Sequence, residues 1–137
     1  FRGPSETVIR PYELITELVV PDAKQSGYVR SSAYSGYAIV SVAVALKTDG
    51  GRVDSARVAV NGAKPYPIRL PHVEEALIGE SLEADLRAQA AEVALRDVDP
   101  DTLVSSEAAD GEHRLRLARS QCQEALERAS MAPTTKQ

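Results

Sequence analysis

At 137 residues, 43% hydrophobic and 26% charged, with a formal net charge of −4, the chain has the composition expected of one soluble globular domain. Its charge balance does not suit a nucleic-acid surface, and its longest apolar run, over 38–46, falls well short of the roughly 20 residues that span a membrane. A domain of this size buries roughly two-thirds of the surface its unfolded chain exposes and needs no disulfide staple. No signal-peptide pattern opens the sequence, and the lone Cys122 is compatible with a reducing compartment, so a cytoplasmic location is the expectation.

The chain opens on Phe1-Arg2-Gly3-Pro4, neither a start methionine nor a targeting sequence, and a fragment of something longer is expected. Residues 13–20 alternate as a strand, with Leu14, Thr16, Leu18 and Val20 against Ile15, Glu17 and Val19, ended by Pro21-Asp22. Residues 22–36, rich in Ser, Gly and Tyr, read as a loop holding one short extended piece, Tyr28-Val29-Arg30. Residues 37–46 form the clearest strand: Val40, Val42, Val44 and Leu46 point one way, and Ile39, Ser41, Ala43 and Ala45 the other. Large residues on one face and small ones on the other suit a sheet covered on both sides. Asp49-Gly50-Gly51 marks a hairpin turn into a return strand over 52–60, and Asn61-Gly62 a second turn. A third strand over 66–70 is confined to an edge or bulge by Pro65 and Pro67, which lack N–H donors.

Past the sheet the apolar period changes from two to 3.6. Residues 72–78 predict a short helix, with Pro71 at its start and Gly79 closing it. Ser81 is placed to cap a second helix over 82–95, lined by Leu82, Leu86, Ala90, Val93 and Ala94. Residues 97–101, with Pro100, break it, and a third helix over 112–129 buries Leu115, Ala118, Cys122, Ala125, Leu126 and Ala129, leaving 130–137 to fray. Strands first and helices afterwards describe an α+β domain, an antiparallel sheet followed by three helices packed on it. Its predicted core includes Ile39, Val40, Val42, Val44, Val58, Leu77, Leu86, Leu115 and Leu126.

Chemistry is sparse in the sequence. His72 and His113 lie 41 positions apart at helix starts, outside any metal-ligand spacing, and read as surface or half-buried helix residues. Cys122 falls on an apolar stripe and reads as a structural thiol. Glu74-Glu75 and Asp97-Asp99-Asp101 read as solvated charges. Arg114, Arg116, Arg119 and Arg128 are interleaved with Glu112, Glu124 and Glu127, which makes a mixed helix face rather than a phosphate-binding stripe. No catalytic residue and no metal ligand is assigned.

Motif order is more informative. FRGPSETVIRPYELITELVVP, YVRSSAYSGYAIVSVAVALKTDGGRVDSARVAVNGAKPYPIRLPHVEEALIGE and GEHRLRLARSQCQEALERA together resemble the C-terminal part of the FAD-binding (medium) subunit of molybdenum hydroxylases. Carbon monoxide dehydrogenase and xanthine dehydrogenase typify that family. The resemblance rests on Ala38-Ile39-Val40-Ser41-Val42-Ala43, a strand ending in Asn61-Gly62-Ala63 with Pro67 and Arg69 shortly after, and a helix from Glu75 to Gly79, in that order. It implies that residues 1–21 end a preceding FAD-binding domain and that 22–137 form the C-terminal α+β domain.

The implied function is electron transfer. In the family a molybdopterin-containing large subunit oxidises substrate, an iron–sulfur small subunit relays electrons, and FAD on the medium subunit passes them to an acceptor. The flavin is held mainly by glycine-rich loops upstream, absent here, so FAD is expected in the complete subunit and not on this chain alone. The resemblance puts Arg30, Tyr34, Ser35 and Tyr37 forward as cofactor-binding residues. Arg30 stands for a basic residue the family carries before the central strand, while Ala33 stands about where it carries an arginine. The competing reading has Tyr28 and Tyr37 covering the sheet edge in a module that docks subunits without touching flavin. A free-standing enzyme is disfavoured by the missing cofactor loops, and neither nucleic acid nor a membrane span is expected.

Overall fold

The computed structural model describes residues 2–3, 6–21, 23, 25–32, 36 and 38–131. Four antiparallel strands lie in sequence order: β1 (Gln25–Ser32), β2 (Ala38–Asp49), β3 (Arg52–Asn61) and β4 (Ile68–Arg69). Three helices follow: α1 (Pro71–Leu77), α2 (Ala84–Val93), continued by a 3-10 turn (Ala94–Asp97), and α3 (Gly111–Met131). The predicted α+β order holds.

The alternation in β2 and β3 determines which face the helices cover. Val40, Val42, Val44 and Leu46 are all buried and meet Val58, Val60, Val53 and Val29 in one apolar layer. A register shift between Lys47 and Thr48 lets both Val53 and Ala56 turn inward, and Gly50 and Gly51 close the hairpin with φ of 55° and 83°. α3 lies over β1 and β2, α1 over β3, and α2 bridges the two helices. The Glu74 carboxylate ties α1 to the sheet, accepting from Val58 N at 2.8 Å and from Arg69 Nε and Nη2, each at 2.6 Å. That bidentate pair raises the Arg69 pKa, chiefly through the Glu74 hydrogen bond. Asp110 starts α3, its Oδ1 accepting from His113 N at 2.7 Å.

The structure corrects several expectations. Residues 13–20 make no ladder among the described residues; the place beside β2 belongs to β1, formed from the stretch read as a loop. The reason is tertiary: Leu14, Leu18, Val19 and Val20 are all exposed, so the segment carries apolar side chains on both faces, which a sheet covered on one side does not satisfy. Secondly, the face away from the helices is covered only in part: Tyr28, Ala43, Ser55 and Arg57 are exposed, while Ser41 on the same face is buried. Thirdly, Ser81 does not cap α2; Glu83 holds the N-cap position without a side-chain bond, and Ser81 Oγ donates to Glu83 Oε1 at 3.3 Å. Fourthly, Ile39, Leu86 and Leu115 pack at the border of the core, whereas Leu70 and Val73 are fully buried within it. The strand expected over 66–70 is reduced to Ile68–Arg69, and the frayed tail, 132–137, lies outside the described residues.

Leu126 is fully buried between α3 and the sheet. Leu126→Ala is expected to cost about 3 kcal/mol, within the range for a leucine truncated in a packed core. Urea unfolding followed by circular dichroism measures it, and a variant as stable as the parent would remove Leu126 from the core.

Candidate functional site

The candidate site lies where β1 and β2 part. Arg30 of β1 stands opposite Ser41 of β2, which stands opposite Asn61 of β3, so the three form a row across the face away from the helices. Arg30 and Asn61 are exposed and Ser41 is buried. Among the described residues Arg30 has no carboxylate partner. Tyr34, Ser35 and Tyr37, the other sequence-predicted contacts, lie outside the described residues. Small side chains, Ala43, Ala45 and Ala59, keep the surface beside this row low, and Tyr28 stands at its edge, 54% exposed.

The face is mainly cationic. Lys47 pairs with Asp54 at 3.2 Å and Arg69 with Glu74 at 2.6 Å, while Arg57 has no ion pair among the described residues. A groove of about 510 Å³ lies near the β2–β3 hairpin, lined by Val20, Pro21, Ala23, Ala45, Lys47 and Arg57. Ala45 is four residues along β2 from Ser41, roughly 14 Å, so the groove is separate from the Arg30 row.

Two functional candidates escaped the sequence reading. Arg114, placed on a mixed charged face, is in fact buried, with Nη1 donating to Ile39 O at 2.5 Å and Gly62 O at 2.9 Å. Gln121 is also buried and reaches Ser31 and Val40, where the strands separate. The signal was present in the helical spacing: positions 114, 118, 121, 125 and 129 share one stripe, of which the apolar members alone were counted.

The remaining titratable residues differ in role. Asp97, expected to be solvated, has a buried carboxylate that accepts from His72 N at 3.1 Å and faces His72 Nδ1 at 2.5 Å, fastening α1 to the turn after α2. His113 is exposed at the start of α3. No cluster of three or more His, Cys, Asp or Glu residues suited to a metal is present among the described residues, and no described helix is long and apolar enough to cross a membrane.

Cys122 is fully buried, and desolvation pushes its thiol up to about 12 from 9.0. The folded protein is therefore expected to resist thiol reagents near pH 8 and to react fully once denatured, which a colorimetric thiol assay reads directly. Because the folded-state pKa is the raised one, this burial favours folding fully below about pH 9, and its contribution falls as pH rises from there toward 12.

Residues 30–129 match the family described as CO dehydrogenase flavoprotein C-terminal domain. The chain is 35% identical to the glyceraldehyde dehydrogenase medium chain of Sulfolobus acidocaldarius over 89 residues, 63% of this chain and 32% of that one. It is 37% identical to the nicotine 6-hydroxylase medium subunit of Paenarthrobacter nicotinovorans over 93 residues, 66% of this chain and 32% of that one. Reconstituted CO dehydrogenase from Oligotropha carboxidovorans has a chain that superposes with a TM-score of 0.84 at 25% identity, covering 97% of this chain and 47% of that chain. The chain thus spans about a third of the length of those two sequence relatives. With the family match extending from β1 through α3, the chain belongs to the CO dehydrogenase flavoprotein C-terminal domain family, found in the medium subunits of molybdenum hydroxylases.

Proposed function

We propose that the chain works as the C-terminal domain of an FAD-binding medium subunit in a molybdenum hydroxylase, supporting electron transfer from iron–sulfur clusters through FAD to an acceptor. The family match over residues 30–129 carries this reading. In it, residues 22–137 form the domain proper and 1–21 end the preceding FAD-binding domain. The exposed, alternating apolar segment 13–20, which makes no ladder among the described residues, supports that boundary.

The residues present suit a contact with flavin rather than its main grip. Arg30, near the small exposed Ala43, offers one cation and a low approach to a planar, anion-forming ring. FAD, when bound, supplies the two-electron chemistry. This chain's part is to orient the ring's edge and to limit water access there, with Tyr34, Ser35 and Tyr37 completing the contact. The molybdopterin-containing large subunit and the iron–sulfur small subunit are its partners in the complex, in a cytoplasmic setting.

Titration of the isolated chain with FAD is expected to show no binding. In the complete subunit, replacing Arg30 and Tyr37 together by alanine is expected to change flavin fluorescence, reoxidation rate or retention. Values equal to those of the unmodified subunit would leave the second reading, a subunit-docking module without flavin contact. The open face carrying Arg57 and the half-exposed Tyr28 favours that alternative.

A further inference from the structure

We infer that Gln121 and Arg114 are positioning residues for the flavin-facing end of the sheet, an inference that rests on the role proposed above for Arg30. Both are nearly fully buried, with 5% and 7% of their surface exposed, at positions where an apolar side chain would avoid the desolvation cost. What they bind explains their polarity.

β1 and β2 are paired continuously from Gln25 opposite Leu46 to Ser31 opposite Val40; the next pair is Ser32 with Ala38, leaving Ile39 as the extra residue of a bulge. Gln121 enters at this break. In the amide orientation that satisfies both its ends, Oε1 accepts from Ser31 N at 3.0 Å and Ser31 Oγ at 2.7 Å, while Nε2 donates to Val40 O at 3.0 Å. One helix side chain thereby bridges the two strands where they part.

Arg114 secures the extra residue itself. Its Nη1 donates to Ile39 O and to Gly62 O, joining the bulge to the turn after β3. The fork is held in turn by Nε to Ala109 O at 3.4 Å and Nη2 to Ser106 Oγ at 2.8 Å. Among the described residues no carboxylate pairs with it, so its work is orientation of carbonyls rather than ion pairing.

The consequence reaches the opposite face. Side chains alternate along a strand, so a one-residue slip at the bulge would exchange the inward and outward sets of β1. Gln121 holds Ser31 inward, which keeps Arg30 outward and in line with Ser41 and Asn61. The two α3 side chains thus determine, through the sheet, where the Arg30 guanidinium meets its ligand.

The test uses the complete, FAD-loaded medium subunit in its complex and compares Arg30→Ala, Gln121→Leu, Gln121→Glu and Arg114→Lys. Leu126→Ala serves as a core variant that loses thermal stability without touching the bulge. Displacement of the guanidinium is expected to shift the flavin absorbance spectrum as Arg30→Ala does and to slow flavin reoxidation by about 10- to 100-fold, the scale of an ångström-sized misplacement. Gln121→Leu is expected to show the full effect. Gln121→Glu, which keeps an acceptor and loses the donor to Val40, and Arg114→Lys, which keeps the charge and loses the fork, fall between it and the unmodified subunit. If Gln121→Leu does not fold, these two variants carry the test.

An unchanged spectrum and rate in the Gln121 and Arg114 variants, with both altered in Arg30→Ala, would overturn the positioning role alone. The same change in Leu126→Ala would reduce it to general destabilisation. No response to Arg30→Ala would remove the flavin reading itself, and the positioning role with it.

Discussion

Gly27→Ala is expected to cost about 5 kcal/mol or more, beyond the 1–3 kcal/mol typical of an overpacked core. Gly27 lies in β1 opposite Val44, with α3 crossing directly over it. A Cβ there would sit 2.0 Å from Ala125 O, 2.9 Å from Ala125 C and 3.0 Å from Ala129 N. All three atoms are helix backbone, so no side chain can rotate away; either α3 lifts or β1 leaves the sheet. Lifting the helix opens the layer that holds Val29, Val44, Cys122 and Leu126. Urea unfolding measures the loss, and the thiol assay supplies a second reading, because a raised helix exposes Cys122. A variant with parental stability and a protected thiol would show that α3 stands farther from β1 than the structure places it.

Gly27 also explains why β1 could not be read from the sequence. The stretch Gln25-Ser26-Gly27-Tyr28 has the composition of a loop, since glycine and serine lower strand propensity. Here the missing side chain is what allows a helix backbone to approach, and pairing with a strong central strand supplies the rest. β2 and β3 were legible because every second residue is a large apolar one facing a single layer, a pattern that needs no knowledge of neighbours. Residues 13–20 also alternate, but with apolar residues on both faces and no ladder partner among the described residues, which is why periodicity alone misplaced them in this sheet. α3 was legible as a helix from Ala118, Cys122, Ala125 and Ala129.

The candidate site divides along the same line. Arg30 was reached through family resemblance and lies where an exposed contact is possible, but the side chains beneath it were not found. Gln121 and Arg114 are polar residues on an apolar stripe, and a charge on a helix is ordinarily solvated. Their burial depends on unpaired strand carbonyls facing them at a bulge. Such carbonyls belong to the backbone and leave no mark on side-chain composition.

Arg114→Met is the second large effect, expected at about 3–5 kcal/mol, chiefly from the Ile39 and Gly62 carbonyls, which each lose a buried donor at about 1–3 kcal/mol. Methionine keeps much of the apolar stem, so the loss reports the guanidinium more than the volume. Ile39 O and Gly62 O are the acceptors left behind, together with Ser106 Oγ, while Ala109 O keeps its bond from Ser106 N at 2.9 Å. Gly62 cannot rearrange cheaply to compensate: its φ is 91°, and a Cβ on it would lie 2.2 Å from Ile39 O, so the turn is already pressed against the bulge. Arg114→Lys keeps the charge but offers a point donor instead of a planar fork, and should recover part of the stability by serving one of the two carbonyls. The expected order in urea unfolding is therefore parent, then lysine, then methionine. A methionine variant equal to the parent would mean that solvent satisfies these carbonyls, leaving the bulge without its fastening to α3.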